Sequence, residues 1–129
     1  MAHLILEYSD NLGGDITPAV LFETLHQALA ASGVFPLAGL RSRAYPVSDY
    51  RVADGRAGAA FVNLTMKIGP GRSEAVQEEI ATMVFDLLNE HLKRAFQHHP
   101  LSVSFEMSEL RPICRFNKNN LGADIGSGS

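Results

Sequence analysis

Residues 59–73 read AAFVNLTMKIGPGRS, and their pattern decides the fold. From Ala59 to Ile68 the side chains alternate: Val62, Leu64, Met66 and Ile68 share one face, opposite Phe61, Asn63, Thr65 and Lys67. A period of two sustained this long predicts a strand with one buried face. Gly69-Pro70-Gly71 breaks it. Ser73 then offers a helix N-cap, and Glu74 places negative charge in the first turn, where the helix dipole favours it. Val76, Ile80, Met83, Val84, Leu87, Leu88, Leu92 and Ala95 recur at helical spacing, which predicts one long helix to about Gln97. His98-His99-Pro100 ends it, and Leu101–Met107 (LSVSFEM) alternates again as a strand.

Toward the N-terminus the same order occurs once more. His3–Tyr8 (HLILEY) reads as a strand bounded by the turn-rich Ser9–Gly14. Thr17-Pro18 predicts an N-cap with proline at the first helical position. Leu21, Leu25, Ala28 and Leu29 carry a helix over Pro18–Ala31, and Gly33 stops it. Ala38–Tyr45 (AGLRSRAY) is a second strand, with Leu40 and Ser42 on one face and Arg41 and Arg43 on the other. Each helix lies between two strands, so each unit can close as a right-handed β-α-β crossover with parallel strands.

The expected fold class is therefore α/β (α+β by some conventions): tandem β-α-β units forming a four-stranded sheet with two helices on one face. Residues 1–125 form one domain with pseudo-symmetric halves 1–57 and 58–125, and 126–129 is a flexible tail of linker composition. Apolar groups assigned to both sides of the strands, with helices for only one side, predict oligomerisation through a bare apolar face.

Composition narrows the function classes. A chain of 129 residues, 46% of them hydrophobic, can bury a core as a single domain. A net charge of −3 argues against a dedicated nucleic-acid binder. The single cysteine, Cys114, excludes an intrachain disulfide. No apolar run reaches the roughly 18 residues of a membrane span, and MAHLILEYSD lacks the basic region of a signal peptide, so a cytoplasmic protein is expected.

The suggestive polar groups are arginines. Arg41 and Arg43 project from one strand face, and Arg72 follows the Gly69–Gly71 turn just before a helix. A guanidinium beside a helix N-terminus suits a carboxylate or phosphate, because its fork and the free N–H groups both favour an anion. The alternative, surface or subunit-interface arginines, stays open at this stage. GPGRS lacks the GxxxxGK[ST] spacing of a phosphate loop. Glu90-His91 is not HExxH, His98-His99 lacks a third ligand, and no Gly-x-Ser-x-Gly elbow occurs, so neither a metal nor a serine nucleophile is expected.

The segments HLILEYSDN (3–11), FPLAGLRSR (35–43), ADG (53–55), FVNLTMKIGPGRS (61–73), LSVSFEMSEL (101–110) and RFNKNN (115–120) resemble, in order, the 5-carboxymethyl-2-hydroxymuconate Δ-isomerase family of the tautomerase superfamily. The resemblance implies a homotrimeric isomerase of aromatic catabolism. It implies that a double bond moves in an unsaturated carboxylate substrate without a cofactor. It further implies a catalytic N-terminal amine, supplied in the family by a proline exposed when the initiator methionine is removed. Here Ala2 occupies that position, a residue small enough for methionine removal to leave a primary amine. Such an amine can act as a base or form a Schiff base with a keto substrate. Arg41 and Arg72 match family arginines that hold carboxylates and offset charge on the dienol oxygen, and Arg43 completes RSR as a further substrate-binding group. A non-catalytic trimeric carboxylate-binding protein, lacking the proline, is the alternative.

Overall fold

The computed structural model describes residues 1–122. Strand β1 (Ala2–Ser9) leads through a 3₁₀ turn at Asp10–Asp15 into helix α1 (Pro18–Ala31). A second 3₁₀ turn, Leu37–Gly39, precedes β2 (Leu40–Val47). Then β3 (Ala60–Ile68), α2 (Glu74–His91), α3 (Lys93–His98) and β4 (Leu101–Glu109) repeat the order. The sheet runs β2-β1-β3-β4. Within each unit the strands are parallel, and the units join antiparallel through β1 and β3. The expected α/β architecture is the one that forms.

Alternation on the strands builds the core. Leu4 and Leu6 of β1 and Leu64, Met66 and Ile68 of β3 are completely buried against Leu21, Leu25 and Leu29 of α1 and Val84 and Leu88 of α2. Each buried side chain of this size contributes about 1.5–3 kcal/mol relative to exposure. Register then places the ends. Ala2 pairs with Leu40 on one side and Ile68 on the other. The start of β1 therefore lies where β2 begins and β3 ends. The two arginine-bearing stretches, 35–43 and 69–73, meet there.

Four details differ from the sequence expectations. Gly39 N–H bonds Pro36 O at 3.0 Å, so 37–39 coil as a 3₁₀ turn and β2 starts at Leu40. The long helix breaks at Leu92, whose φ of −91° and ψ of 12° leave the helical region. This break keeps Leu92 and Ala95 fully buried while carrying His98 to Asp15, with Nδ1 and Oδ2 2.8 Å apart. Thr17 makes no side-chain cap; its N–H donates instead to His91 Nε2 at 3.1 Å. Ser73 does cap, its Oγ accepting from Val76 N–H at 3.2 Å.

The fourth difference is the uncovered sheet face. It carries His3, Glu7, Arg41, Arg43, Asn63, Thr65 and Lys67, with Ile5 and Phe61 as apolar members. Register sets Leu40 and Val62 on the same, helix-covered side, so the bare face is largely polar. An apolar bare face therefore gives no argument for oligomerisation.

The histidines make stability depend on pH. Burial lowers the pKa of His26 and His91, and of His3 together with nearby cations. A histidine with a lowered folded-state pKa binds fewer protons folded than unfolded, so stability falls as pH drops below its unfolded value. Asp15, whose pKa is lowered chiefly by its hydrogen bond to His98, contributes stability above its unfolded pKa and loses it in stronger acid. The urea midpoint should fall between about pH 7 and about pH 5, and fall again below about pH 4. Equal midpoints at the first two values contradict this.

Candidate active site

Met1 extends the antiparallel ladder by one residue, its carbonyl accepting from Gly69 N–H at 3.2 Å. Its α-amine rests against Gly39, where a β-carbon would lie 3.4 Å from the amine nitrogen and 3.4 Å from Pro36 Cγ. The N-terminus thus packs directly against the backbone of Gly39.

Three guanidinium groups surround this amine. Arg41 Nη1 donates to Gly39 O at 3.1 Å, which turns the side chain along the start of β2. Arg72 is fixed more firmly. Its Nη1 donates to Gly69 O at 3.0 Å and its Nη2 to Val34 O at 3.1 Å, while its plane lies 4.3 Å from the centroid of buried Phe35. It thereby ties the turn before α2 to the loop after α1. Arg115 comes from the irregular segment after β4, and its Nε donates to Arg111 O at 2.9 Å. A β-carbon on Gly69 would lie 3.8 Å from Arg115 Nη1 and 3.9 Å from Arg72 Nη1, so these two cations converge on that glycine.

Burial, then Arg72, Arg41 and Arg115 in that order, holds the Met1 amine below the ordinary range of an α-amine. Each effect disfavours the charged ammonium, which leaves more free base near neutral pH. Among the described residues, Arg41, Arg43, Arg72, Arg111 and Arg115 form no ion pair with a carboxylate. Glu109 is nearby, but its Oε2 accepts from Gly71 N–H at 3.3 Å. The cluster therefore keeps its positive charge for an incoming anion.

The amine opens into a cavity of about 480 Å³ on the helix-free face, lined by Met1, His3 and Arg41 from the sheet and by Leu110, Arg111 and Arg115 from the final segment. Another groove of about 440 Å³, between α2 and β4, is lined by Thr82, Phe85, Asp86 and Phe105 and has no cation. Only the first suits a carboxylate.

Of the arginines expected from sequence, the structure brings Arg41 and Arg72 to the amine. Arg43 sits farther along β2, and its Nη1 donates to His3 Nδ1 at 3.2 Å. A guanidinium only donates, so the neutral His3 ring carries its proton on Nε2. Ala2 itself turns its methyl group into the core. Sequence reasoning did not single out His3 or Arg115. Both lay inside segments already quoted, but no spacing rule joins a strand histidine to a residue beyond the last strand. Among the described residues no cluster of three metal-ligating side chains occurs, and Cys114 is exposed.

Residues 2–125 match the family described as 5-carboxymethyl-2-hydroxymuconate isomerase. The chain belongs to this family. The 5-carboxymethyl-2-hydroxymuconate Delta-isomerase of Escherichia coli is 40% identical over 123 residues, covering 95% of this chain and 98% of that protein. The crystal structure of a 5-carboxymethyl-2-hydroxymuconate isomerase from Deinococcus radiodurans R1 superposes with a TM-score of 0.87 at 39% identity, covering 92% of this chain and 90% of that one. A structure described as a fused 4-OT wild-type symmetric trimer shares the fold at a TM-score of 0.69 and 15% identity, covering 95% of this chain and 98% of its own. The 5-carboxymethyl-2-hydroxymuconate isomerase family thus accounts for the fold and makes this chain an isomerase of the tautomerase superfamily. No helix among the described residues is long and apolar enough to cross a membrane.

Proposed function

We propose that the chain, once Met1 is removed, uses the α-amine of Ala2 to move a proton within an unsaturated 2-hydroxy carboxylate of aromatic catabolism, needing no cofactor. The observation that supports this most is the seating of the Met1 amine, whose pKa is lowered first by burial and then by Arg72, Arg41 and Arg115. Removing Met1 leaves β1 intact and sets the new amine at its first residue, next to the place Met1 held in the cavity wall. As a free base it accepts the proton released when the dienol becomes a ketone. The resulting ammonium returns a proton to carbon at the far end of the conjugated chain. One proton leaves, one arrives, and the double bond shifts.

The arginines divide the remaining work. Arg41 faces the cavity and holds a substrate carboxylate. Arg72, with two of its donors on backbone carbonyls, acts mainly as a fixed positive charge beside the amine and the developing enolate. Arg43 serves the substrate through His3, whose ring it holds at the cavity wall. We further propose a cytoplasmic homotrimer. The fused relative described as a symmetric trimer supports the assembly, as do Ile113 and Phe116, which are 60% and 93% exposed beside the cavity.

Proline is expected to serve better than alanine at position 2, since its ring fixes the amine's direction. With methionine removal verified by intact mass, Ala2→Pro should raise ultraviolet-monitored turnover of 5-carboxymethyl-2-hydroxymuconate about tenfold or more, within the usual range of general acid–base effects. Saturable binding without turnover in both forms would instead support the carboxylate-binding alternative.

A further inference from the structure

The ladder bond between Gly69 and Met1 has a chemical consequence when Met1 departs. Ala2 pairs with Ile68, so Met1 stands opposite Gly69 at the end of the β1–β3 ladder. Without Met1, β3 extends one residue past its partner. The Gly69 N–H, which donated at 3.2 Å to the Met1 carbonyl, then loses its ladder acceptor at the point where Met1 lined the cavity. A backbone donor left this way needs an oxygen. The oxygen it loses was one bond away from the carbon attached to the Ala2 nitrogen, so its replacement comes directly beside the reacting amine.

The surroundings specify the replacement. Arg115 Nη1 and Arg72 Nη1 both lie within 4 Å of the β-carbon position at Gly69. Arg72 commits one N–H of each terminal nitrogen, to Gly69 O and Val34 O, and its Cζ lies over the Phe35 ring, whereas Arg115 is held by Nε alone, toward Arg111 O, among the described residues. The Arg115 terminal nitrogens are therefore free to bind. Cys114, at φ 57°, takes the left-handed turn that folds this segment back over the cavity.

Resting on the amine reading above, we propose that Gly69 N–H and Arg115 form a seat for a 2-oxo (or 2-hydroxy) carboxylate end, which the Met1 carbonyl fills until it is removed. Gly69 N–H takes the oxygen on the second carbon, and Arg115 takes the adjacent carboxylate. The pairing suits two neighbouring oxygen-bearing carbons, whereas a plain carboxylate engages Arg115 alone. Arg115 is then a carboxylate-binding residue, supplied by a segment outside both β-α-β units, and Gly69 N–H carries the preference for the 2-oxo oxygen.

The probe pair is 2-oxoglutarate and glutarate, which carry the same two carboxylates and differ in the 2-oxo group. Calorimetry at fixed ionic strength should show the chain beginning at Ala2 binding 2-oxoglutarate about tenfold more tightly, as one added hydrogen bond to a backbone N–H allows. Arg115→Ala should weaken both ligands about tenfold, since its guanidinium holds the carboxylate that each carries, and Arg115→Lys should restore part of that affinity. A chain that keeps Met1 should show no preference. Equal affinities for the two probes in the chain beginning at Ala2, or affinities that Arg115→Ala leaves unchanged, overturn the seat. A preference without any turnover would uphold the seat and count against the proton-transfer reading alone.

Discussion

Chain that retains Met1 should be at least about a hundredfold less active, in kcat/KM, than chain beginning at Ala2, the scale of a lost general base. The reason is local. Met1 places its amine nitrogen against the position of a Gly39 side chain and its carbonyl on Gly69 N–H. It thus fills the space between Arg41, Arg72 and Arg115 that the substrate must enter. It also converts the Ala2 nitrogen into an amide, which cannot take up a proton near neutral pH. The Met1 amine is itself held in the free-base direction, but it lies one residue away from the Ala2 nitrogen proposed to react. Preparations separated by intact mass and assayed for ultraviolet-monitored turnover decide the point. Equal activity in the two forms would mean that the N-terminus is not the reacting group.

The second large effect concerns Arg72. Arg72→Ala should lower kcat/KM about a hundredfold, comparable to loss of a preorganised donor at a developing charge. Arg72 is the leading cation among those that lower the amine pKa. Removing it raises that pKa, so at a given pH less of the amine is free base. The acidic limb of the kcat/KM profile must therefore move to higher pH. A purely structural role would not produce that shift. Arg72→Lys keeps a charge but loses the planar fork that spans Gly69 O and Val34 O and stacks on Phe35, so partial recovery is expected. Unchanged activity in Arg72→Ala, or a loss with no movement of the limb, would argue against an electrostatic role.

Much of the fold was legible because alternation and helical spacing report burial directly. Val62, Leu64, Met66 and Ile68 announce the central strand, and the helix Pro18–Ala31 appears with the bounds its proline and glycine suggest. The break at Leu92 was not legible. Leu92 and Ala95 continue the apolar stripe, and no proline or glycine marks the bend. The unused cap at Thr17 was hidden for a similar reason, since its N–H is satisfied by His91, far along the chain. At the site, Arg41 and Arg72 were visible through their motifs, and the structure adds why they meet: register brings the start of β2 and the end of β3 to either side of Ala2. Arg115 and His3 required tertiary structure. The first reaches Gly69 from beyond the last strand, and the second gains its place through Arg43.

The central proposal is that an α-amine, made less basic by burial and by the nearby arginines, is the proton-transferring group. Its most direct test is a nitrogen-15 NMR titration of chain beginning at Ala2, labelled at that residue and verified by intact mass. The account predicts an amine that titrates below the ordinary α-amine value, at the same pH as the acidic limb of kcat/KM. An amine titrating at or above that ordinary value, or a rate profile indifferent to its titration, would contradict it.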